Sequence, residues 1–257
     1  FVVEGFAGLK NLNCLQLRMF ERPLGVEYLF KAFLELPMLG YLDFYFKFMK
    51  QKEWDLLEEF LGKQKKLTDL KLTLQDRKGF SKRRYLSQSI NLKKILVEGI
   101  NEMSELKNLG IIVPISSLKS LSEGLGEVRR VNQLQSLEIK VGCESKERQE
   151  MTLEQIEGLC WFIERQGEYL TSLKLNTCLT KIEIVNQIAD VISGLKRLRE
   201  LDLCINKEMN IEGFFAARTL EEAEKKDIVE EKEERSQEDN GLVKMFGKLE
   251  RLENLRI

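Results

Sequence analysis

The chain has 257 residues, of which 43% are apolar and 32% charged, and its formal net charge is −1. This is the composition of an ordered protein with a heavily charged exterior, and its overall charge selects neither a polyanion nor a polycation as partner. Histidine is absent, which excludes a Ser-His-Asp triad, a Cys-His dyad and any histidine-ligated metal.

No apolar run approaches the length of about 18 residues that a membrane-spanning helix needs, so no membrane span is expected. The start, Phe1 to Gly5, lacks the basic residues and apolar core of a signal peptide and has no initiating Met, so the chain reads as a piece of a longer one. The five cysteines (Cys14, Cys143, Cys160, Cys178 and Cys204) are odd in number and form no CxxC. That spacing argues against a disulfide framework or a zinc site. It points to reduced, packed thiols in an intracellular compartment, the cytoplasm being the expectation.

From the N-terminus, the triplet LxxLxL occurs with leucine at all three positions at 12-15-17, 67-70-72, 170-173-175 and 198-201-203. With leucine at about one residue in six, chance supplies such a triplet only about once in this length. Relaxed copies are Leu39-Leu42-Phe44, Leu92-Ile95-Val97, Leu106-Leu109-Ile111, Leu134-Leu137-Ile139 and Leu252-Leu255-Ile257. Starts at 12, 39, 67, 92, 106, 134, 170, 198 and 252 give gaps of 27, 28, 25, 14, 28, 36, 28 and 54. Each LxL pair places two side chains on one face of a short strand. A repeat of about 28 residues leaves room for a turn and a helix.

The intervals carry that helix. Val26, Leu29, Phe30 and Phe33 share one helical stripe, as do Trp54, Leu57, Phe60 and Leu61. Leu118, Leu121 and Leu125 form another stripe. Thr152 with Gln155 three residues on predicts a capped helix through Leu159, Cys160 and Ile163, and Ile184, Ile188, Val191 and Ile192 predict a fifth helix. The 14-residue gap after Leu92 is too short for strand, turn and helix together. The 54-residue gap holds a charged insertion at about 217–241, acidic from Glu221 to Asp239.

LKNLNCLQL, KKLTDLKL, EYLTSLKLNTC and KRLRELDLCIN resemble leucine-rich-repeat proteins, in the ribonuclease-inhibitor-like class with long helical repeats. The fuller pattern, with Asn or Cys three residues after the strand, is met at Cys178 and Asn206. The resemblance implies a single array over 1–257. It is an α/β solenoid, a horseshoe with parallel strands on the concave face and helices on the convex face. It also implies a non-catalytic protein-interaction or scaffolding module within a larger assembly. Regulators of enzymes, inhibitor-like or GTPase-activator-like, belong to the same class and form the alternative.

Strand side chains turned away from the core would line the binding face. They include Gln16, Arg18, Tyr41, Asp43, Tyr45, Lys71, Lys94, Glu138, Lys140, Lys174, Asn176, Glu200 and Asp202, with Tyr41 and Tyr45 the expected anchors. A second candidate is the basic stretch 63–94. There Arg77, Lys78, Lys82, Arg83 and Arg84 form a possible nucleic-acid contact of a ribonucleoprotein component. No RRM, KH or zinc-finger signature accompanies it. Gly124 and Gly126 give no GxGxxG, and no phosphate loop appears. No catalytic residue, metal, cofactor or small-molecule ligand is expected.

Overall fold

The structure is a computed structural model that describes residues 9, 11–19, 26–36, 38–46, 51–74, 92–131, 133–142, 152–179, 181–205 and 241–256. It is a mixed α/β architecture built on one open, eight-stranded parallel sheet. The strands are β1 (Cys14–Met19), β2 (Tyr41–Phe46), β3 (Asp69–Leu74), β4 (Asn108–Pro114), β5 (Ser136–Gly142), β6 (Ser172–Leu179), β7 (Glu200–Ile205) and β8 (Asn254–Arg256). They lie side by side in chain order, each pairing with the next. Every one of them coincides with a leucine triplet, apart from Ile257, which lies outside the described residues.

The triplet at Leu92 is not a strand. Leu92–Lys94 is α-helical, Ile95–Gly99 continues as a π-helical turn and Ile100–Glu102 as a 3₁₀ turn. β3 pairs directly with β4, so the segment belongs to one long unit between them. The physical reason lies in its apolar spacing. Leu92, Ile95, Leu96, Ile100 and Met103 all fall on one helical stripe, and all are buried. The strand triplet was a coincidental reading of the same residues. β7 likewise pairs directly with β8, so the 54-residue interval places no strand between them. Of the insertion expected at about 217–241, residues 217–240 lie outside the described residues, and Gly241 opens a helix.

The α-helices are α1 (Val26–Phe33), α2 (Gln51–Lys63), α3 (Leu92–Lys94, with the turns just described), α4 (Leu118–Glu127), α5 (Glu154–Arg165), α6 (Ile182–Ser193) and α7 (Gly241–Lys248). α5 begins within one residue of the start that the Thr152 signal predicts. Leu153 already has helical angles and makes no side-chain cap.

Register explains the core. Leu42, Leu70, Leu109, Leu137, Leu173 and Leu201 are aligned across β2 to β7, and Phe44, Leu72, Ile111, Ile139, Leu175 and Leu203 form the row two residues on. All twelve are buried. The helices cover this face. In the first repeats the cover is aromatic: Phe33 stacks on Phe44 at 5.6 Å, and Phe60 lies 5.8 Å from Phe44. At the two ends the same rows thin out, with Leu15 and Leu17 partly buried and Leu255 43% exposed.

Adjacent units are fixed by backbone and by amides. The carbonyl of the residue before each strand accepts two consecutive N–H groups of the next unit. Gly40 O takes Thr68 N at 2.9 Å and Asp69 N at 3.1 Å, and Thr171 O takes Arg199 N and Glu200 N in the same way. Gln64 and Gln166 sit at matching helix ends and are buried. Gln64 Oε1 accepts Leu39 N at 2.8 Å. Gln166 accepts Leu134 N at 3.3 Å and donates to Val131 O at 2.8 Å. Each satisfies backbone that its neighbour's turn leaves unpaired. On the helical side α4 and α5 approach so closely that a Cβ on Gly158 would fall 2.0 Å from the Ser122 carbonyl oxygen.

Candidate functional site

The strand residues between the core rows point to the other face of the sheet. Three rows cross it. The first runs Cys14, Tyr41, Asp69, Asn108, Ser136, Ser172, Glu200, Asn254. The second runs Gln16, Asp43, Lys71, Gly110, Glu138, Lys174, Asp202, Arg256. The third includes Arg18, Tyr45, Thr73, Ile112, Lys140 and Asn176. The structure therefore gathers every expected face residue except Lys94 on one surface.

Lys94 lies in α3, on the helical side. Its Nζ reaches Glu58 Oε2 on α2 at 3.0 Å. That hydrogen bond and the Glu58 charge hold its ammonium above the ordinary lysine value. Glu58 itself is shifted upward, first by burial and then by a hydrogen bond with Glu98, with Lys94 pulling the other way.

The open face is charged but largely self-compensating. Alternation along the second row is Asp43 (negative), Lys71 (positive), Glu138 (negative), Lys174 (positive), Asp202 (negative), Arg256 (positive). Asp43 is only 7% exposed. Its Oδ2 accepts Gln16 Nε2 at 2.7 Å and lies 3.9 Å from Arg18 Nη2. It is thus a structural acceptor that orders the first strands. Lys71 Nζ donates to Glu138 Oε2 at 3.1 Å, crossing over Gly110 on the strand between them. Ser172 Oγ donates to Glu200 Oε2 at 3.0 Å. Asp69 accepts from Thr68 Oγ1 at 2.6 Å and from Asn108 Nδ2 at 2.5 Å.

Among the expected anchors, Tyr41 is 38% exposed and Tyr45 is half-buried. Lys140, Lys174 and Glu200 are exposed, while Asn176 and Asp202 are half-buried. Gly110 was not among the residues expected to matter. Its signal was a glycine inside a strand pattern.

Among the described residues of the basic stretch, Lys65 and Lys66 are exposed in the turn after α2. Lys71 is on the open face, whereas Lys63, Lys93 and Lys94 are on helices. Each faces a carboxylate: Lys63 with Glu59 at 3.2 Å, Lys93 with Glu127 at 2.6 Å, Lys94 with Glu58. Arg77, Lys78, Lys82, Arg83 and Arg84 lie outside the described residues, as does Asn206.

Among the described residues no cluster of three or more Cys, Asp or Glu is placed to hold a metal ion. Cys160 is buried, and its thiol is pushed up to about 12, by burial first and then by Glu164 and Glu157. A thiol so held is a packing group and not a thiolate nucleophile. Cys14 and Cys204 are unpaired in the structure. No described helix is long and apolar enough to cross a membrane. Comparison with known proteins finds no matching family model and no matching curated protein.

Proposed function

We propose that this chain is a leucine-rich-repeat solenoid of the horseshoe kind, acting as a non-catalytic protein-interaction or scaffolding module within a larger assembly. The partner docks on the open face of the sheet. One observation carries the reading. Eight parallel strands in chain order present aligned side chains on a face that no described helix covers, with Tyr41 exposed among them. Solenoids use such extended surfaces for binding, and aromatic residues supply a large share of interface energy.

The alternating second row favours a protein over a nucleic acid. A polyanion gains from an excess of lysine and arginine, whereas this row is neutral in sum, and Lys71 is already engaged with Glu138. The reduced, buried Cys160 fits an intracellular, reducing setting.

The test is capture from native extract followed by mass spectrometry, with two sets of variants. Tyr41→Ala and Lys174→Glu alter the open face. Glu123→Lys and Asp190→Lys alter the helices. A protein retained by wild type and by the helix set, and lost with the face set, supports the reading. Loss only on charge reversal at Arg77, Arg83 and Arg84, with a steep salt dependence, would assign a nucleic-acid partner instead.

A further inference from the structure

Gly110 sits in the middle of β4, in the second row, between Lys71 on β3 and Glu138 on β5. A glycine there weakens a strand, because it loses more backbone freedom on folding and brings no side chain to pack. Here the absence of a side chain lets Lys71 Nζ reach across β4 to Glu138 Oε2. A Cβ at this position would meet Lys71 Cγ at 3.3 Å, Glu138 Oε2 at 3.6 Å and Lys71 Cβ at 3.7 Å. Lys71 Cγ would have to give by a few tenths of an ångström, and Glu138 Oε2 is the far end of a flexible side chain. The contrast with Gly158 is direct, since there the obstacle is a backbone carbonyl at 2.0 Å. Main chain excludes a side chain at 158, whereas at 110 only the side-chain atoms of Lys71 and Glu138 stand near.

Beside the Lys71–Glu138 pair the open face has a depression of about 160 Å³, bordered by Tyr41, Asp69, Lys71, Asn108, Ser136 and Glu138. We infer that this depression receives one arginine side chain of the protein partner. The inference rests on the open-face reading above and names the chemistry recognised there.

The donor and acceptor inventory around the depression decides the sign. Among the residues that border it, two carboxylates, Asp69 and Glu138, face one cation, Lys71, whose ammonium already donates to Glu138 Oε2; Lys174 lies beyond Glu138 on β6. Glu138 Oε1 remains to accept. Asp69 receives one hydrogen bond on each oxygen, leaving a further lone pair on each. Asn108 directs its amide nitrogen to Asp69, which leaves its carbonyl oxygen as an acceptor. The rim therefore offers acceptors in surplus. Guanidinium has five donors in a planar fork, carries no acceptor, and stacks on an aromatic face such as that of Tyr41. An acidic side chain would meet two like charges, and an apolar one would strip water from acceptors it cannot pair.

The test uses the full chain, ¹⁵N-labelled, titrated with three capped tripeptides of the form Gly-Xaa-Gly, where Xaa is arginine, citrulline or glutamate. Citrulline keeps the shape of arginine and removes its charge. The arginine peptide is expected to shift the amides of Asn108, Gly110 and Ser136 in a saturable way. The citrulline peptide should bind about tenfold more weakly and the glutamate peptide not at all. Gly110→Thr fills the depression and suits a strand. It should abolish those shifts while circular dichroism remains that of wild type. Should Gly110→Thr disturb folding, Gly110→Ala serves and should weaken the shifts. Equal response to arginine and citrulline, or shifts confined to residues 221–239, would overturn the inference. The two readings also fail separately. If Tyr41→Ala abolishes partner capture and Gly110→Thr leaves it intact, the open face stands as the docking surface and this subsite falls.

Discussion

Gly158→Ala should be among the most damaging single-methyl changes in this chain. The new Cβ would lie 2.0 Å from Ser122 O, 2.8 Å from Ser122 C and 3.1 Å from Ser122 Oγ. Comfortable contact needs about 3.5 Å, so α4 and α5 would have to part by roughly 1.5 Å. The obstacle is main chain and cannot swing aside. Overpacking of this kind costs about 1–3 kcal/mol. Separation would also stretch the buried bond from Leu159 N to Ser122 Oγ, now 3.2 Å, at a further cost of about 1–3 kcal/mol. Against these, alanine gains up to about 1 kcal/mol of helix propensity over glycine. The net loss is about 3 kcal/mol, within a range of about 1–5. Urea unfolding followed by circular dichroism would read it as a midpoint lower by about 1 M or more. Gly110→Ala is the internal control. It adds the same methyl where only side-chain atoms are near, and its stability should stay within about 0.5 kcal/mol of wild type. A Gly158→Ala midpoint equal to that of Gly110→Ala would refute the close-approach reasoning.

The other expectations are narrower. Leu173→Ala and Leu201→Ala each remove a buried side chain from the aligned core row, and each should cost about 2–5 kcal/mol; a loss under about 1 kcal/mol at both would contradict the stacked core. Gln166→Leu keeps the volume but strands Leu134 N and Val131 O, at about 2–4 kcal/mol for two buried backbone groups, and wild-type stability of that variant would remove the inter-unit role given to the amide. Glu58 has a carboxyl raised above its ordinary value, so its protonated form is the one the fold favours. Its contribution is whole below the unfolded value and is lost as pH rises through the folded one. Glu58→Gln should therefore gain stability relative to wild type on going from acid to neutral pH, and the reverse trend in paired urea titrations would show that Lys94 outweighs burial.

The strands were legible because each repeat writes them in leucine. A period-2 pair with a third leucine three residues earlier needs no tertiary knowledge, and all the triplets except that at Leu92 became strands. Leu92 misled because LKKILV satisfies the strand triplet and the helical stripe together, and only packing against α2 and α4 separates the two. The face was legible from alternation alone. Its pairing was not. Lys71 and Glu138 are 67 residues apart and meet only because β4 inserts a glycine between them, a consequence of register across three units. The burial of Asp43 depends in the same way on Gln16 and Arg18 from the preceding strand. The expectation of Lys94 on the sheet face followed from the misread triplet; the structure places it on a helix.

Site-specific photo-crosslinking is the most direct measurement of the open face as the docking surface. A photoreactive side chain is placed singly at Tyr41, Lys140 and Lys174 on the sheet, and at Glu123 and Asp190 on the exposed helical side. In native extract, the sheet positions should yield one common crosslinked protein, and the helical positions should not yield it. Crosslinks to that partner from Glu123 or Asp190, with none from the three sheet positions, would contradict the assignment.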